Sequence, residues 1–201
     1  SLNVSTTGSD FSGDGSSSKP FRTIQKAVDV MATLNNTSVT INIASGTYNE
    51  IVKIDRVAKP YLQFYGESNA KVKAFDISHF YGTLQFDSIN ITGNNSFFDI
   101  DSVPMVRIAY CQLNSFVGVR LLNTSRVEIL NTTFNCDFEA IAADNSIVSC
   151  RNSDVNVGTY GFLAREGAMI FADSSNTITG TKGTHKVEKT GQIFTTSKVH
   201  T

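Results

Sequence analysis

Four acidic side chains could take part in acid–base chemistry: Asp137, Glu139, Asp144 and Glu166. Asp144 and Glu166 are 22 residues apart. This is the spacing of an apolar repeat described below, so we expect them to share a turn position in adjacent coils. Two carboxylates held that close would raise the pKa of one of them, as an acid catalyst requires, or attract a cation. A solvated turn is the simpler interpretation, and both stay open.

Glu139 is a second candidate because of its predicted neighbours. The alignment places it outward between Gly118 and Gly161, with Asp137 nearby, and open space beside a carboxylate suits a sugar hydroxyl. A strand eased by glycine is the alternative. Carboxyl pairs that hydrolyse glycosidic bonds lie about 5–9.5 Å apart, so residues on neighbouring coils could form one.

An aromatic stretch around His79 is a candidate ligand-binding loop. Phe80 and Tyr81 could stack on sugar rings, and His79 could relay protons. The alternative is that this loop packs onto the body of the domain. Elsewhere, Asp99 and Arg120 are predicted to form a surface ion pair, which contributes little to stability.

These positions are related by an apolar pattern that repeats every 21 or 22 residues. Four columns share this spacing, and the first has a companion two positions earlier that begins at Ile41. The first comprises Ile43, Phe64, Phe86, Ile108, Ile129, Cys150 and Ala172; another comprises Ile91, Leu113, Phe134, Val155 and Thr177; the next begins Phe98, Val119, Ala140 and Phe162, and its companion two positions on Ile100, Leu121, Ala142 and Ala164.

Three short strands per coil explain this pattern. Parallel pairing of each strand with its equivalent one coil on stacks the apolar columns into a continuous core. The sequence therefore predicts an all-β protein, a right-handed parallel β-helix of about seven coils. Asn131 and Asn152 follow the first column by two positions, where left-handed turns are expected.

The chain divides into three predicted segments. Residues 1–38 contain an opening strand, a glycine-rich loop and a helix over residues 21–34, whose apolar stripe covers the first coil. Residues 39–180 form the β-helix. Residues 181–201 are a polar tail that closes the last coil or forms an interface, with one more strand around Ile193.

Composition narrows the function classes. The net charge is -1 and charged residues make up 17% of the chain, so the sequence predicts binding neither to nucleic acid nor to an anionic membrane. No apolar run approaches the roughly 20 residues that span a bilayer. Cys111, Cys136 and Cys150 lack metal-ligand spacing and are interpreted as core or turn residues. We predict no metal and no cofactor.

The opening of the chain carries a family resemblance. It combines Gly13-Asp14-Gly15, the helix motif KPFRTIQKAVD at residues 19–29 and the coil motif VTINIASGTYNE at residues 39–50. These segments resemble the pectin-lyase-like β-helix family, which includes polysaccharide lyases and hydrolases and also bacteriophage tail spikes and tail fibres. Abundant Asn, Ser and Thr and the absence of Trp are more similar to the phage group.

Three functional hypotheses follow. The first, implied by the resemblance, is a homotrimeric tail fibre or spike component. It would bind bacterial surface polysaccharide during host attachment, contact other virion tail proteins, and lie in the virion tail after assembly in the host cytoplasm. The second is a polysaccharide lyase or glycoside hydrolase, and the third is a surface adhesin or structural spacer. Apolar residues predicted to point outward would form the trimer interface: Leu122, Leu130, Leu163 and Phe171.

Overall fold

The computed structural model describes residues 1–35, 37–93 and 97–195, which form a right-handed parallel β-helix of about seven coils. The described residues contain one helix, α1 (Ile24–Thr33), and nineteen strands. The strands are β1 (Leu2–Val4), β2 (Val39–Ile43), β3 (Gly46–Gly66), β4 (Ala70–Asp87), β5 (Asn90–Gly93), β6 (Phe98–Asp101), β7 (Met105–Ala109), β8 (Gln112–Ser115), β9 (Val119–Leu122), β10 (Arg126–Leu130), β11 (Thr133–Cys136), β12 (Ile141–Asp144), β13 (Ile147–Arg151), β14 (Asp154–Val157), β15 (Tyr160–Arg165), β16 (Met169–Ala172), β17 (Thr177–Gly180), β18 (Gly183–Val187) and β19 (Gln192–Thr195).

Parallel pairing between successive coils builds three faces. Sheet 1 comprises β1, β2, the ends of β3 and β4, then β7, β10, β13, β16 and β19. Sheet 2 comprises the starts of β3 and β4, then β5, β8, β11, β14 and β17. Sheet 3 comprises the middles of β3 and β4, then β6, β9, β12, β15 and β18. The predicted three strands per coil are confirmed.

The predicted register is wrong at three places. Phe64 pairs with Ile41 and not with Ile43, because a shift of two residues leaves the same side chains facing inward. Val155 pairs with Ile178 and not with Thr177, since the preceding turn holds one more residue. In sheet 3 the inward residues are Ile141 and Ala143 in place of Ala140 and Ala142.

Aromatic side chains fill the lower half of the core. Phe64, Phe75, Phe86 and Phe98 are fully buried and their ring centroids lie 4.5–5.4 Å apart. The upper half is filled by smaller residues, including the three cysteines, which are free and buried as predicted. Burial raises the pKa of their thiols, to about 12 for Cys111 and Cys150 and about 11 for Cys136. The thiols are therefore protonated packing groups.

Helix α1 covers the first coil, as predicted, but is shorter than expected. Ile24, Ala27, Val28 and Met31 are buried, whereas Leu34 caps the helix and is exposed. Thr23 begins the helix, since its side chain accepts a hydrogen bond from the Lys26 amide. Among the described residues, no helix is long and apolar enough to cross a membrane.

Glu50 fixes the start of this helix to β3. Its carboxylate oxygens accept hydrogen bonds from the amides of Ile24 and Gln25, at 2.9 and 3.0 Å. Both amides would otherwise lack partners at a helix N-terminus, where negative charge is favoured. We expect Glu50→Ala to lower the free energy of unfolding by about 2 kcal/mol, because two charge-assisted hydrogen bonds are lost. Urea denaturation checks this, with exposed Asp154 replaced by alanine as the control; equal effects of the two substitutions would contradict it.

Left-handed residues turn the chain at two corners. Between sheets 1 and 2 the positive φ values belong to Ser88, Tyr110, Asn131 and Asn152, so the two predicted asparagine turns are confirmed. Between sheets 3 and 1 the Asn145 amide donates to Asn123 Oδ1 at 3.0 Å, one coil below. This hydrogen-bonded asparagine pair was not predicted.

The strands continue beyond residue 180. β18 pairs with β15 and β19 pairs with β16, so much of the predicted tail adds a further partial coil. The predicted strand around Ile193 is β19, and residues 196–201 of the tail lie outside the described residues.

Candidate functional site

The structure does not bring Asp144 and Glu166 together as a catalytic pair. Asp144 is in register with Arg165, whose guanidinium binds it through two contacts, Nε–Oδ1 at 2.9 Å and Nη2–Oδ2 at 2.8 Å. Glu166 occupies the following left-handed turn and pairs with Lys189 of the next coil. The prediction that the two carboxylates share one turn column is wrong by one position, because the apolar run at residues 140–143 hid the true register.

Glu139 lies at the corner between sheets 2 and 3, just before β12. Gly118 and Gly161 are level with Ala140, the residue after it, so the prediction that they flank Glu139 is wrong. Both glycines are buried, and a Cβ on Gly118 would collide with the ring of Phe134. They allow close packing of the core and leave no open space beside Glu139.

The carboxyl group of Glu139 is in a partly desolvated position. The residue is only 6% exposed, and its Oε1 accepts a long hydrogen bond from the Thr159 hydroxyl at 3.5 Å. Burial raises its pKa above the ordinary value, against the opposing effects of that hydrogen bond and of the Arg165 and Lys186 charges. Asp137, the other acid predicted here, is exposed in the same turn.

The cations near Glu139 already have partners of their own. Arg165 is bound to Asp144, and Lys186 pairs with Glu188. Glu139 itself forms no ion pair with any described residue. A carboxyl group with a raised pKa and no cationic partner can donate a hydrogen bond or a proton to a ligand.

Two exposed phenylalanines lie beside Glu139. Phe116 and Phe138 are 42% and 41% exposed, and their rings stack with centroids 5.3 Å apart and an interplanar angle of 6°. The Phe138 amide donates to the Phe116 carbonyl at 2.8 Å, which holds the two turns in line. We call this surface the Glu139 edge: Phe116, Phe138, Glu139 and Thr159. The two rings were missed because they fall outside the apolar columns, although their 22-residue spacing is visible in the sequence.

The burial of Glu139 predicts a pH signature. A raised folded-state pKa means that the protonated carboxyl stabilises the fold below its unfolded pKa, near 4.5, and that this contribution is lost as pH rises through the folded pKa. Glu139→Gln should therefore raise the thermal midpoint at about pH 7.5, and the gain should shrink towards about pH 4. Calorimetry of this variant and of Asp137→Asn, the exposed neighbour, checks it. An equal gain at both pH values would contradict the assignment.

The predicted aromatic loop is only partly exposed. Phe80 is fully buried in the core, which excludes it from ligand contact, while Tyr81 is exposed. His79 adopts a left-handed turn and its Nδ1 lies 3.2 Å from Asp55 Oδ1. The three residues therefore do not form one binding surface.

The outward apolar residues lie on two different faces. Leu130 and Phe171 are on sheet 1, whereas Leu122 and Leu163 are on sheet 3, and Leu163 is buried. Phe171 stacks on Phe194 with ring centroids 4.8 Å apart, and both rings are exposed. Among the described residues, no group of three or more His, Cys, Asp or Glu could hold a metal ion.

Comparison with known proteins places the chain in a family. The model of the family described as "Protein of unknown function (DUF1565)" matches residues 6–200. The chain belongs to the DUF1565 family. One curated relative is "Putative pectinesterase 63" of Arabidopsis thaliana, 27% identical over 193 residues. The match covers 89% of this chain and 56% of the relative, so the chain spans just over half of that protein's length. No solved structure matches.

These matches agree with the architecture. The DUF1565 chain has the pectin-lyase-like parallel β-helix fold that its opening segment resembles. Its Glu139 edge is the part of the described surface where a buried carboxyl group and exposed stacked rings meet.

Proposed function

We propose that this DUF1565 protein binds polysaccharide at the Glu139 edge. The observation that carries the proposal is the exposed Phe116–Phe138 stack beside a carboxyl group that has no cationic partner among the described residues. Aromatic rings cover the C–H faces of sugars, and a carboxyl group hydrogen-bonds their hydroxyls. A rigid β-helix holds both in fixed positions, which limits the entropy that binding costs.

A polysaccharide array tests this proposal. The array would carry bacterial surface polysaccharides and pectins, and would be probed with the unaltered protein and with Glu139→Gln and Asp137→Asn. The proposal expects binding to at least one polysaccharide, weakened by Glu139→Gln and kept by Asp137→Asn. Absence of binding by the unaltered protein would leave a structural spacer as the better interpretation.

A second candidate is carbohydrate-ester or glycoside hydrolysis. It is supported by the raised pKa of Glu139, which suits a general acid, and by the similarity to a protein named as a pectinesterase. Methanol release from methyl-esterified pectin and the appearance of reducing ends would reveal such activity. Glu139→Gln should abolish it, and activity that survives this change would exclude Glu139 as the acid.

The finer setting that we propose is host attachment by a bacteriophage tail fibre or spike. It is supported by the resemblance of the opening segment, and it would place the protein in the virion tail, with other tail proteins, after assembly in the host cytoplasm. The exposed apolar residues of sheet 1, Leu130, Phe171 and Phe194, would pack between copies in a homotrimer. Light scattering of the unaltered protein tests this, and a monomeric mass would count against it.

A further inference from the structure

Arg107 is the half-buried arginine of this surface without a carboxylate partner. It points outward from β7 on sheet 1, and its buried Nε has no hydrogen-bond partner among the described residues. No described carboxylate lies within ion-pair distance of it. The other half-buried arginine, Arg165, is bound by Asp144 through two contacts. An unsatisfied buried donor is costly, so its presence in a native structure indicates a group that a ligand satisfies.

The residues on either side of Arg107 do not satisfy it. Gln85 and Glu128 are in register with it on the neighbouring strands. The Glu128 carboxylate is bound by Arg126 at 3.2 Å, and Gln85 Oε1 accepts the Tyr61 hydroxyl at 2.9 Å. Arg107 therefore presents its donors beside side chains whose acceptors are already used.

Two glutamine amides extend this arrangement along sheet 1. Gln63 is in register with Gln85, and its Oε1 accepts a 3.5 Å hydrogen bond from Thr40. In both glutamines the carbonyl oxygen is occupied, which leaves the NH₂ group as the part offered to a ligand. Gln63, Gln85 and Arg107 follow one another on adjacent strands, about 4.8 Å apart, and we call them the donor column.

The surroundings of the donor column suit a sugar more than a peptide. Tyr65 and Tyr110 flank it and are 44% and 59% exposed, so their rings are available for stacking. The Tyr61 hydroxyl lies close enough to Arg107 and Asp87 that, beyond the effect of burial, both charges act on its pKa in opposite directions. The column thus combines one positive charge, neutral donors and aromatic rings on a rigid sheet.

We infer that the donor column is a binding subsite for a carboxylate-bearing sugar, a uronic acid residue of an acidic polysaccharide. The guanidinium of Arg107 would bind the carboxylate, as arginine does through paired hydrogen bonds, and the two glutamine amides would donate to ring or hydroxyl oxygens. This inference goes beyond the proposed function and does not depend on it, because the column lies on sheet 1 and the Glu139 edge lies at the corner of sheets 2 and 3.

Isothermal titration with an oligogalacturonate and its methyl ester tests the inference. The unaltered protein should bind the acid at least about tenfold more tightly than the methyl ester, since esterification removes the charge that Arg107 recognises. Equal affinity for the two, or no binding of the acid at millimolar concentration, would overturn the inference. This comparison needs no substitution, so it holds even if a variant fails to fold.

Two arginine variants locate the site. Arg107→Met should weaken binding of the acid at least about tenfold, whereas Arg151→Met, which removes the same charge from an exposed position on sheet 1, should change it less than about twofold. Equal effects would show charge attraction without a site and overturn the assignment.

A third variant and a competitor distinguish the donor column from the Glu139 edge and from a site for acidic peptides. Phe116→Ala/Phe138→Ala should leave oligogalacturonate binding unchanged; loss of binding would move the ligand to the Glu139 edge and overturn the inference. A poly-glutamate peptide that competes with equal affinity would overturn the assignment to a sugar.

Discussion

Replacing Phe86 with alanine should lower the free energy of unfolding by about 4 kcal/mol. The ring is fully buried and packs against three others: its centroid lies 5.3 Å from Phe64, 4.9 Å from Phe75 and 4.5 Å from Phe98. Truncation removes the transfer free energy of the ring and leaves a cavity that these neighbours cannot refill, because strand pairing on every side fixes their positions.

Phe171→Ala is the matched control for this prediction. Phe171 lies on the same sheet, but its ring points outward and is 42% exposed, so we expect a loss below about 1 kcal/mol. Urea denaturation followed by circular dichroism measures both variants. A loss for Phe86→Ala no larger than that for Phe171→Ala would contradict the placement of the Phe86 ring inside the coil.

Much of this fold could be predicted from the sequence, because a β-helix repeats one packing problem in every coil. Wherever large apolar residues alternate with polar ones, as in Leu84 and Phe86, the register is correct. It is wrong where alternation gives no information. The segment Ala140–Ala143 is apolar at every position, so only the three-dimensional packing shows that Ile141 faces the core.

That single register error changed the view of the site. It placed Asp144 beside Glu166, although Asp144 faces Arg165 one coil above. Glu139 stays a candidate, but for a different reason from the predicted one: its surroundings are buried and not open. A desolvated carboxyl group depends on which side chains cover it, and this information is absent from a coil alignment.

The Phe116→Ala/Phe138→Ala variant should lose polysaccharide affinity by about tenfold or more. Each exposed ring is expected to contribute about 1 kcal/mol by covering the apolar face of a sugar, and the two contributions act on one ligand. The loss should not come from unfolding, because both rings are more than a third exposed. Titration calorimetry with the strongest polysaccharide of the array measures the change.

The second exposed aromatic stack is a control of the same chemistry. Phe171 and Phe194 stack at 4.8 Å and 9°, close to the geometry of the Phe116–Phe138 pair. They lie on sheet 1 without a buried acid comparable to Glu139 among the described residues, so Phe171→Ala/Phe194→Ala should keep the affinity within about twofold. Equal losses in the two double variants would mean that exposed rings bind the sugar without selection.

The most direct test of polysaccharide binding at the Glu139 edge is to map the bound sugar by amide chemical shifts. The isotope-labelled protein would be titrated with a neutral oligosaccharide prepared from the strongest polysaccharide of the array. We predict the largest shifts at residues 116–118, 137–141 and 158–160, which form the corner around the Glu139 edge. Large shifts confined to other faces, or none at saturating sugar, would contradict this placement of the ligand.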